Sequence, residues 1–206
     1  MEYNSEKKEI KNDKILNVLD MFTLDFLKVL KRFSDYVVVS GYVSILLGRS
    51  RASEDIDMLI PVMDKSQLDV LLRGMEAEGY ECANTFIVEE ALEILENESE
   101  IRFYKKNPLP NVEIKFILKN IQKTAFDERI RVVLRGGEIF ISPLELQIAY
   151  KLSLMHYDDF EDISSDKDFE DAKHLYEVFK EQLDMKKLLY FVGLFKVEKL
   201  WEQLKK

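Results

Sequence analysis

Apolar residues recur at Ile15, Val18, Leu19, Phe22, Phe26, Val29, Leu30 and Phe33. Spacings of three and four place them on one stripe and predict an amphipathic helix over residues 13–33. The leader before it, "MEYNSEKKEIKNDK", is charged and has no apolar core, so it does not read as a signal peptide. "YVVVS" (36–40) is short, β-branched and continuous, as expected of a strand buried on both faces. "GYVSILLGR" reads as a helix opened by Gly41 and closed near Gly48. "DIDMLIP" alternates and reads as a strand ended by Pro61. Asp64 and Gln67 stand at capping-box spacing, and Leu68, Leu71, Leu72 and Met75 give the following helix a face before Gly79 stops it. Residues 88–96 read as helix, and "EIRFYK" and "NVEIKFIL" as strands, the second with the clearer pattern. "IRVVLRGGEIFIS" reads as a hairpin turning through Gly136 and Gly137.

From Pro143 onward the pattern is helical, over residues 143–157, 167–181 and 185–205. The order predicts an α/β (α+β) fold with a mixed sheet flanked by helices over residues 1–141. A helical region over 142–206 follows, with a hinge near Ser142. No internal repeat or low-complexity segment interrupts it.

Composition narrows the setting. A chain of 206 residues suits one domain or two small ones with a sizeable core. Its formal charge of −9 argues against a protein whose main task is coating nucleic acid or anionic lipid. A single cysteine, Cys82, allows no disulfide framework, and no apolar run approaches a membrane span. The expectation is a cytoplasmic protein.

The chemistry concentrates in "VVVSGYVSILLGRSRASEDIDMLIP" (37–61). In a strand, residues i and i+2 share a face, so Asp55 and Asp57 project together, about 6–7 Å apart by strand rise, while Ile56 and Met58 enter the core. Such a pair also suits the solvated face of an edge strand. Two further features point elsewhere. Ser40 and Gly41 end a buried strand and begin a helix, where backbone N–H groups can meet phosphate and glycine permits close approach. In "NVEIKFIL", Glu113 stands between apolar Val112 and Ile114 and offers a third carboxylate if the two strands pair. Three acids suit a hard divalent cation, and with it phosphoryl transfer.

The arrangement "SG…GRSRASEDIDML" resembles the signature of the nucleotidyltransferase superfamily, the DNA-polymerase-β-like fold. The spacing is similar to that of small prokaryotic members, including nucleotidyltransferases of abortive-infection and toxin–antitoxin systems. "ISPLELQIAYKL" is similar to their segment after the third acid, and "SDKDFEDAKHLYEVF" to their K-D-x-x-D helix, which places Asp168 and Asp171. The resemblance covers roughly residues 36–180. It implies that Asp55, Asp57 and Glu113 are catalytic and hold Mg²⁺, with Mn²⁺ as a substitute, Glu113 also activating the acceptor hydroxyl. It implies that Ser40 and Gly41 line the triphosphate and that Arg51, Ser53 and Lys151 position or neutralise it. The implied activity is transfer of a nucleoside monophosphate from an NTP to an acceptor hydroxyl of a tRNA, a protein or a small molecule. An antitoxin partner or a homodimer fits the same resemblance. The alternative is a catalytically weak member that binds nucleotide or a partner. Three departures bear on this: Ser40 stands where the first glycine is usual, Tyr42 follows Gly41, and Glu replaces the commoner Asp at position 113, a change such proteins tolerate.

Other candidates carry less. "GYVSILLGRS" lacks the P-loop lysine and spacing. His156 and His174 have no zinc spacing; His174 reads as an exposed helix residue, and His156 lies near Lys151 in sequence. "YDDFEDISSDKDFED" lacks the glycine of an EF-hand and reads as a loop entering a helix capped by Ser165 or Asp166. Cys82 has no motif. The stripe Leu188, Leu189, Phe191, Val192, Phe195, Leu200, Trp201 and Leu204 reads as core, with an aromatic excess that also suits a partner surface.

Overall fold

A computed structural model describes residues 1–155 and 166–206. The chain opens with β1 (Glu2–Asn4) and β2 (Glu9–Lys11), then runs through α1 (Val18–Leu30), β3 (Val37–Val39), α2 (Gly41–Leu46), β4 (Asp55–Ile60), α3 (Lys65–Ala77) and β5 (Glu81–Cys82). Next come α4 (Val88–Glu96), β6 (Ile101–Lys105), β7 (Asn107–Phe116), α5 (Asn120–Asp127), and the hairpin β8 (Ile130–Leu134) and β9 (Gly137–Ile141). The helices α6 (Leu144–Ser153), α7 (Lys167–Phe179), α8 (Met185–Phe195) and α9 (Glu198–Leu204) follow. The described strands form one mixed sheet in the order β1-β2-β8-β9-β3-β4-β7-β6-β5. Among the described residues, no helix is long and apolar enough to cross a membrane.

The alternation of β4 and β7 divides the sheet into two faces. Ile56, Met58 and Ile60 are buried on one, beside their cross-strand partners Val112, Ile114 and Phe116. Phe103 of β6 lies opposite Val112, and Phe26 of α1 packs on it, with ring centroids 5.9 Å apart. Helices α1, α3 and α4 cover this face. Asp57 and Glu113, one residue out of phase, point to the other.

Several elements depart from the sequence expectation, each for a local reason. The leader, for which the sequence pattern predicts no element, supplies β1 and β2. β2 pairs in parallel with β8, and its Ile10 is fully buried. Backbone pairing with an existing strand needs no apolar composition of its own. The helix expected from residue 13 starts at Val18, because Asn17 and Asp20 close a capping box; Ile15 remains 92% exposed. α5 and the short β5 were not expected; α5 buries only Ala125, so no stripe marks it. The helix expected over 185–205 breaks at Lys196, which adopts the left-handed conformation with φ 58°. α6 ends at Ser153, and His156 and Tyr157 at the end of the expected helix lie outside the described residues. Asp166 caps α7, accepting from the amides of Asp168 and Phe169; Ser165 lies outside the described residues.

One buried carboxylate ties the amino-terminal segment to α2. Asp20 Oδ1 accepts the Tyr42 hydroxyl at 2.9 Å, and Oδ2 accepts the Asn17 amide at 2.9 Å. Lys14 Nζ lies 2.9 Å from Oδ2 and also donates to the Ile45 carbonyl at 3.2 Å. Burial and the Asp20 charge push the Tyr42 phenol well above its ordinary value, so it stays a donor. Asp20→Ala removes the acceptor shared by three donors, one of them a cation. It is expected to cost about 3–5 kcal/mol, the range for breaking a buried ion pair on one side. Urea unfolding measures the loss; a cost under about 1 kcal/mol would show that Lys14 and Tyr42 find other partners.

Candidate active site

β4 and β7 run parallel in register, so Asp57 stands beside Glu113 and Asp55 beside Asn111. On the far side of β7, Arg102 of β6 stands opposite Glu113. The sheet thus brings Asp57, Glu113 and Arg102 into one row across three strands. Asp57 is pushed above the ordinary carboxylate range, chiefly by burial and then by the Glu113 charge. Lys115, a hydrogen bond from Ser40 and Lys151 oppose that rise. Glu113 is held by Arg102, whose Nε donates to Oε1 at 3.0 Å and whose Nη2 donates to the same oxygen. Asp55 is exposed and accepts from Asn111 Nδ2 at 2.7 Å. The Ser53 hydroxyl donates to the Asp55 carbonyl at 3.2 Å.

Asp57 and Glu113 form one end of a cavity of about 310 Å³. Ser40 and Gln147 line it beside the acids, Lys115 continues along the sheet, and Tyr150 of α6 closes the side. The unexpected helix α5 supplies a further wall with Ile121 and Gln122, and Lys119 just before it lines the cavity too. Arg51, Ser53 and Lys151 do not line this cavity.

The turn from β3 into α2 is held from outside. Ser40 adopts φ 63° and ψ −144°, a conformation that an L side chain rarely takes. Gln147 of α6 clamps it: the side-chain Nε2 donates to the Ser40 carbonyl at 2.7 Å, and the Ser40 amide donates to Oε1 at 3.3 Å. Ser142 Oγ donates to the same Oε1 at 2.7 Å, fixing the amide's orientation. The Ser40 N–H is therefore engaged by protein. At Gly41 the Arg51 guanidinium lies so close that a Cβ would collide with Nη2. Tyr42, next along, points into the core and bonds Asp20, away from the turn.

Lys151 lies in a buried charge cluster. Its side chain is 3% exposed, with Nζ 2.6 Å from Asp168 Oδ1 and 2.9 Å from Asp171 Oδ2. Asp171 also meets Arg49 Nη1 and lies 3.2 Å from Arg51 Nε. Three cations from the α2–β4 connection and α6 thus share two carboxylates of α7. His174, expected to be exposed, is half-buried, with Nε2 3.2 Å from the Leu47 carbonyl. Its position follows from α7 packing on α2.

Gln147 and Arg102 carry no sequence signal: one is a lone amide in a helix, the other one of many surface-type cations. Asp168 and Asp171 are visible only through the K-D-x-x-D resemblance. Among the described residues, no three His, Cys, Asp or Glu side chains gather into a metal cluster. The reason is visible in the partners: Asn111 draws on Asp55 and Arg102 on Glu113. Asp57 and Glu113 nonetheless stand side by side as hard oxygen donors, the chemistry a hard divalent cation takes.

Among solved structures, an antigenic nucleotidyltransferase-like protein from Paracoccidioides brasiliensis matches with a TM-score of 0.55 at 16% identity, over 89% of this chain and 90% of that one. The antibiotic-resistance factor ANT(2'')-Ia matches with a TM-score of 0.53 at 13% identity, over 90% of this chain and 96% of that one. No family model matches the sequence, and no curated protein does. The chain shares the fold of these two proteins.

Two outcomes follow from the electrostatics. Asp57 binds its proton more tightly folded than unfolded, so its ionisation opposes folding. That contribution is most favourable below the unfolded value of 3.8 and is lost as pH rises through the raised folded value. Asp57→Asn is therefore expected to be more stable than wild type at neutral pH, with the gap closing as pH falls toward about 4. Urea midpoints across that range check it, and a gap independent of pH would refute the assignment. Lys151→Ala strands Asp168 and part of Asp171 in the interior and is expected to cost about 3 kcal/mol. A stability within about 0.5 kcal/mol of wild type would show that the two carboxylates rearrange toward Arg49 and Arg51.

Proposed function

We propose that the protein is a nucleotidyltransferase that moves a nucleoside monophosphate from an NTP to an acceptor hydroxyl and releases pyrophosphate. The observation that carries this reading is the in-register pair Asp57 and Glu113 beside the Ser40–Gly41 turn, at the mouth of a cavity on this fold. The acceptor oxygen forms a bond to the α-phosphorus while the bond from that phosphorus to the pyrophosphate oxygen breaks. Glu113 takes the proton that the hydroxyl loses. Asp55, Asp57 and Glu113 are the residues that would hold Mg²⁺, or Mn²⁺ in its place. When bound, the ion supplies positive charge that offsets the charge building on the phosphate oxygens. Arg51, folded across Gly41, offers a fixed cation to the outer phosphates, and Gln147 fixes the Ser40 turn beside the acids. Ser53 steadies the start of β4 through the Asp55 carbonyl.

Lys151 is committed to Asp168 and Asp171, so in this reading it acts on phosphate through the placement of Arg51. The acceptor is a tRNA, a protein side chain or a small molecule, and a toxin–antitoxin setting with an antitoxin partner suits the sequence resemblance. A second reading, a nucleotide- or partner-binding module with little catalysis, is favoured by one observation: Glu113 and Asp55 each already have a protein donor.

Glu113→Gln separates the two. It keeps size and shape but removes the basic oxygen. NTP binding, read as a thermal shift with each of ATP, CTP, GTP and UTP with and without Mg²⁺, is expected to persist. Pyrophosphate release, or label transfer from an α-labelled NTP to components of a lysate, is expected to fall by about 10²–10⁴. Transfer at the wild-type rate would remove Glu113 from the chemistry. A wild type that binds NTP yet labels nothing would favour the binding module.

A further inference from the structure

Glu113 has a neighbour with no part in the proposed reaction. Arg102 reaches it from β6, the strand on the far side from Asp57, and both nitrogen contacts fall on Oε1. No described residue donates to Oε2. The Arg102 side chain is 44% exposed and the Glu113 side chain 13%, so the guanidinium approaches from solvent while the carboxylate lies deeper. Arg102 is raised above its ordinary value by the Glu113 hydrogen bond first, then by the Glu113, Asp55 and Glu100 charges. Two of the three acids proposed to share a cation therefore already act on this guanidinium. On the cavity side the other nearby cation, Lys115, is tied to Glu100 at 3.2 Å.

A like-charge pair set side by side in a sheet favours a nearby counter-ion, with or without metal. Arg102 meets that need without lining the cavity. Nearly half its surface is already wet, so swinging out of the pair costs little desolvation.

We propose that Arg102 is a positioning residue that stands in for the divalent cation: it holds Glu113 through Oε1 in the free protein and yields when a cation takes the carboxylates. The inference rests on the metal reading of the proposed function. Its consequence is competition, since a cation and the guanidinium draw on the charge of the same carboxylate. Arg102 thereby lowers the affinity for metal and keeps the acid row folded in its absence.

The test is Mn²⁺ binding to the full chain, followed by the loss of the free-ion electron paramagnetic resonance signal at low salt. Arg102→Gln is expected to bind Mn²⁺ about fivefold more tightly than wild type, the factor matching a partly exposed ion pair. It is also expected to melt at a lower temperature without metal and to gain more from added Mn²⁺. If the glutamine variant does not melt cooperatively, Arg102→Lys, which keeps charge but loses the fork, carries the same comparison with about twofold tighter binding. Unchanged or weaker Mn²⁺ binding overturns the stand-in role, because an arginine that merely braced Glu113 would weaken the site on removal. The two levels of the argument fail differently. A wild type with no Mn²⁺ binding that Asp57→Asn removes overturns the metal reading and this inference with it. A wild type that binds beside an indifferent Arg102→Gln overturns the role of Arg102 alone.

Discussion

The site depends on the register between β4 and β7. Because side chains alternate along a strand, a one-residue slip of either partner would move Asp57 or Glu113 into the core. What prevents it is the opposite face, where Ile56, Met58, Val112 and Ile114 are buried. At about 1.5–3 kcal/mol each, four such side chains outweigh the repulsion between carboxylates about 5 Å apart, about 3 kcal/mol at a protein-surface dielectric. The apolar face therefore sets the acids side by side whether or not that suits them. The rise of the Asp57 proton affinity is the trace of that compulsion, and Ser40, Lys115 and Arg102 are its local relief.

The helices after Ser142 act on this arrangement at two points. Gln147 on α6 reaches the Ser40 turn, and the acids of α7 gather Lys151 with the two arginines that follow α2. Asp171 is the centre of the second group, fully buried between elements far apart in sequence. A buried carboxylate with several cationic partners is a weak source of net stability, because desolvation offsets attraction. It is specific, however: Arg51 can lie across Gly41 only while Asp171 holds its Nε side. The helical region thus contributes position to a site whose acids all come from the sheet.

Much of this was legible in the chain, and what was not has physical causes. The strands that carry Asp55, Asp57 and Glu113 announce themselves by alternation, and α3 by its capping box and stripe. Their pairing was only a condition, since nothing local states which strand neighbours which; the structure meets it. β1 and β2 escaped notice because each is three residues long and held chiefly by backbone bonds, β1 to β2 and β2 to β8, with Ile10 alone fully buried and no pattern to mark it. α5 escaped because it covers a cavity instead of a core and needs no apolar stripe. Arg102 and Gln147 act through partners eleven and more than a hundred residues away, distances at which sequence carries no pattern.

Ser40 shows how these parts bear on one another. A non-glycine residue at positive φ costs about 1–3 kcal/mol and persists only where its surroundings leave it no alternative. Three contacts do so here. Tyr42 anchors the first turn of α2 in the core through Asp20, Gln147 grips the Ser40 backbone on both its polar atoms, and Arg51 presses on Gly41. Each contact comes from a different part of the chain: the amino-terminal segment, α6 and the loop before β4. A glycine at position 40 would remove the strain but also the hydroxyl that opposes the rise in Asp57's proton affinity. The serine therefore joins the turn to Asp57, setting a hydroxyl beside the carboxylate whose proton affinity burial raises.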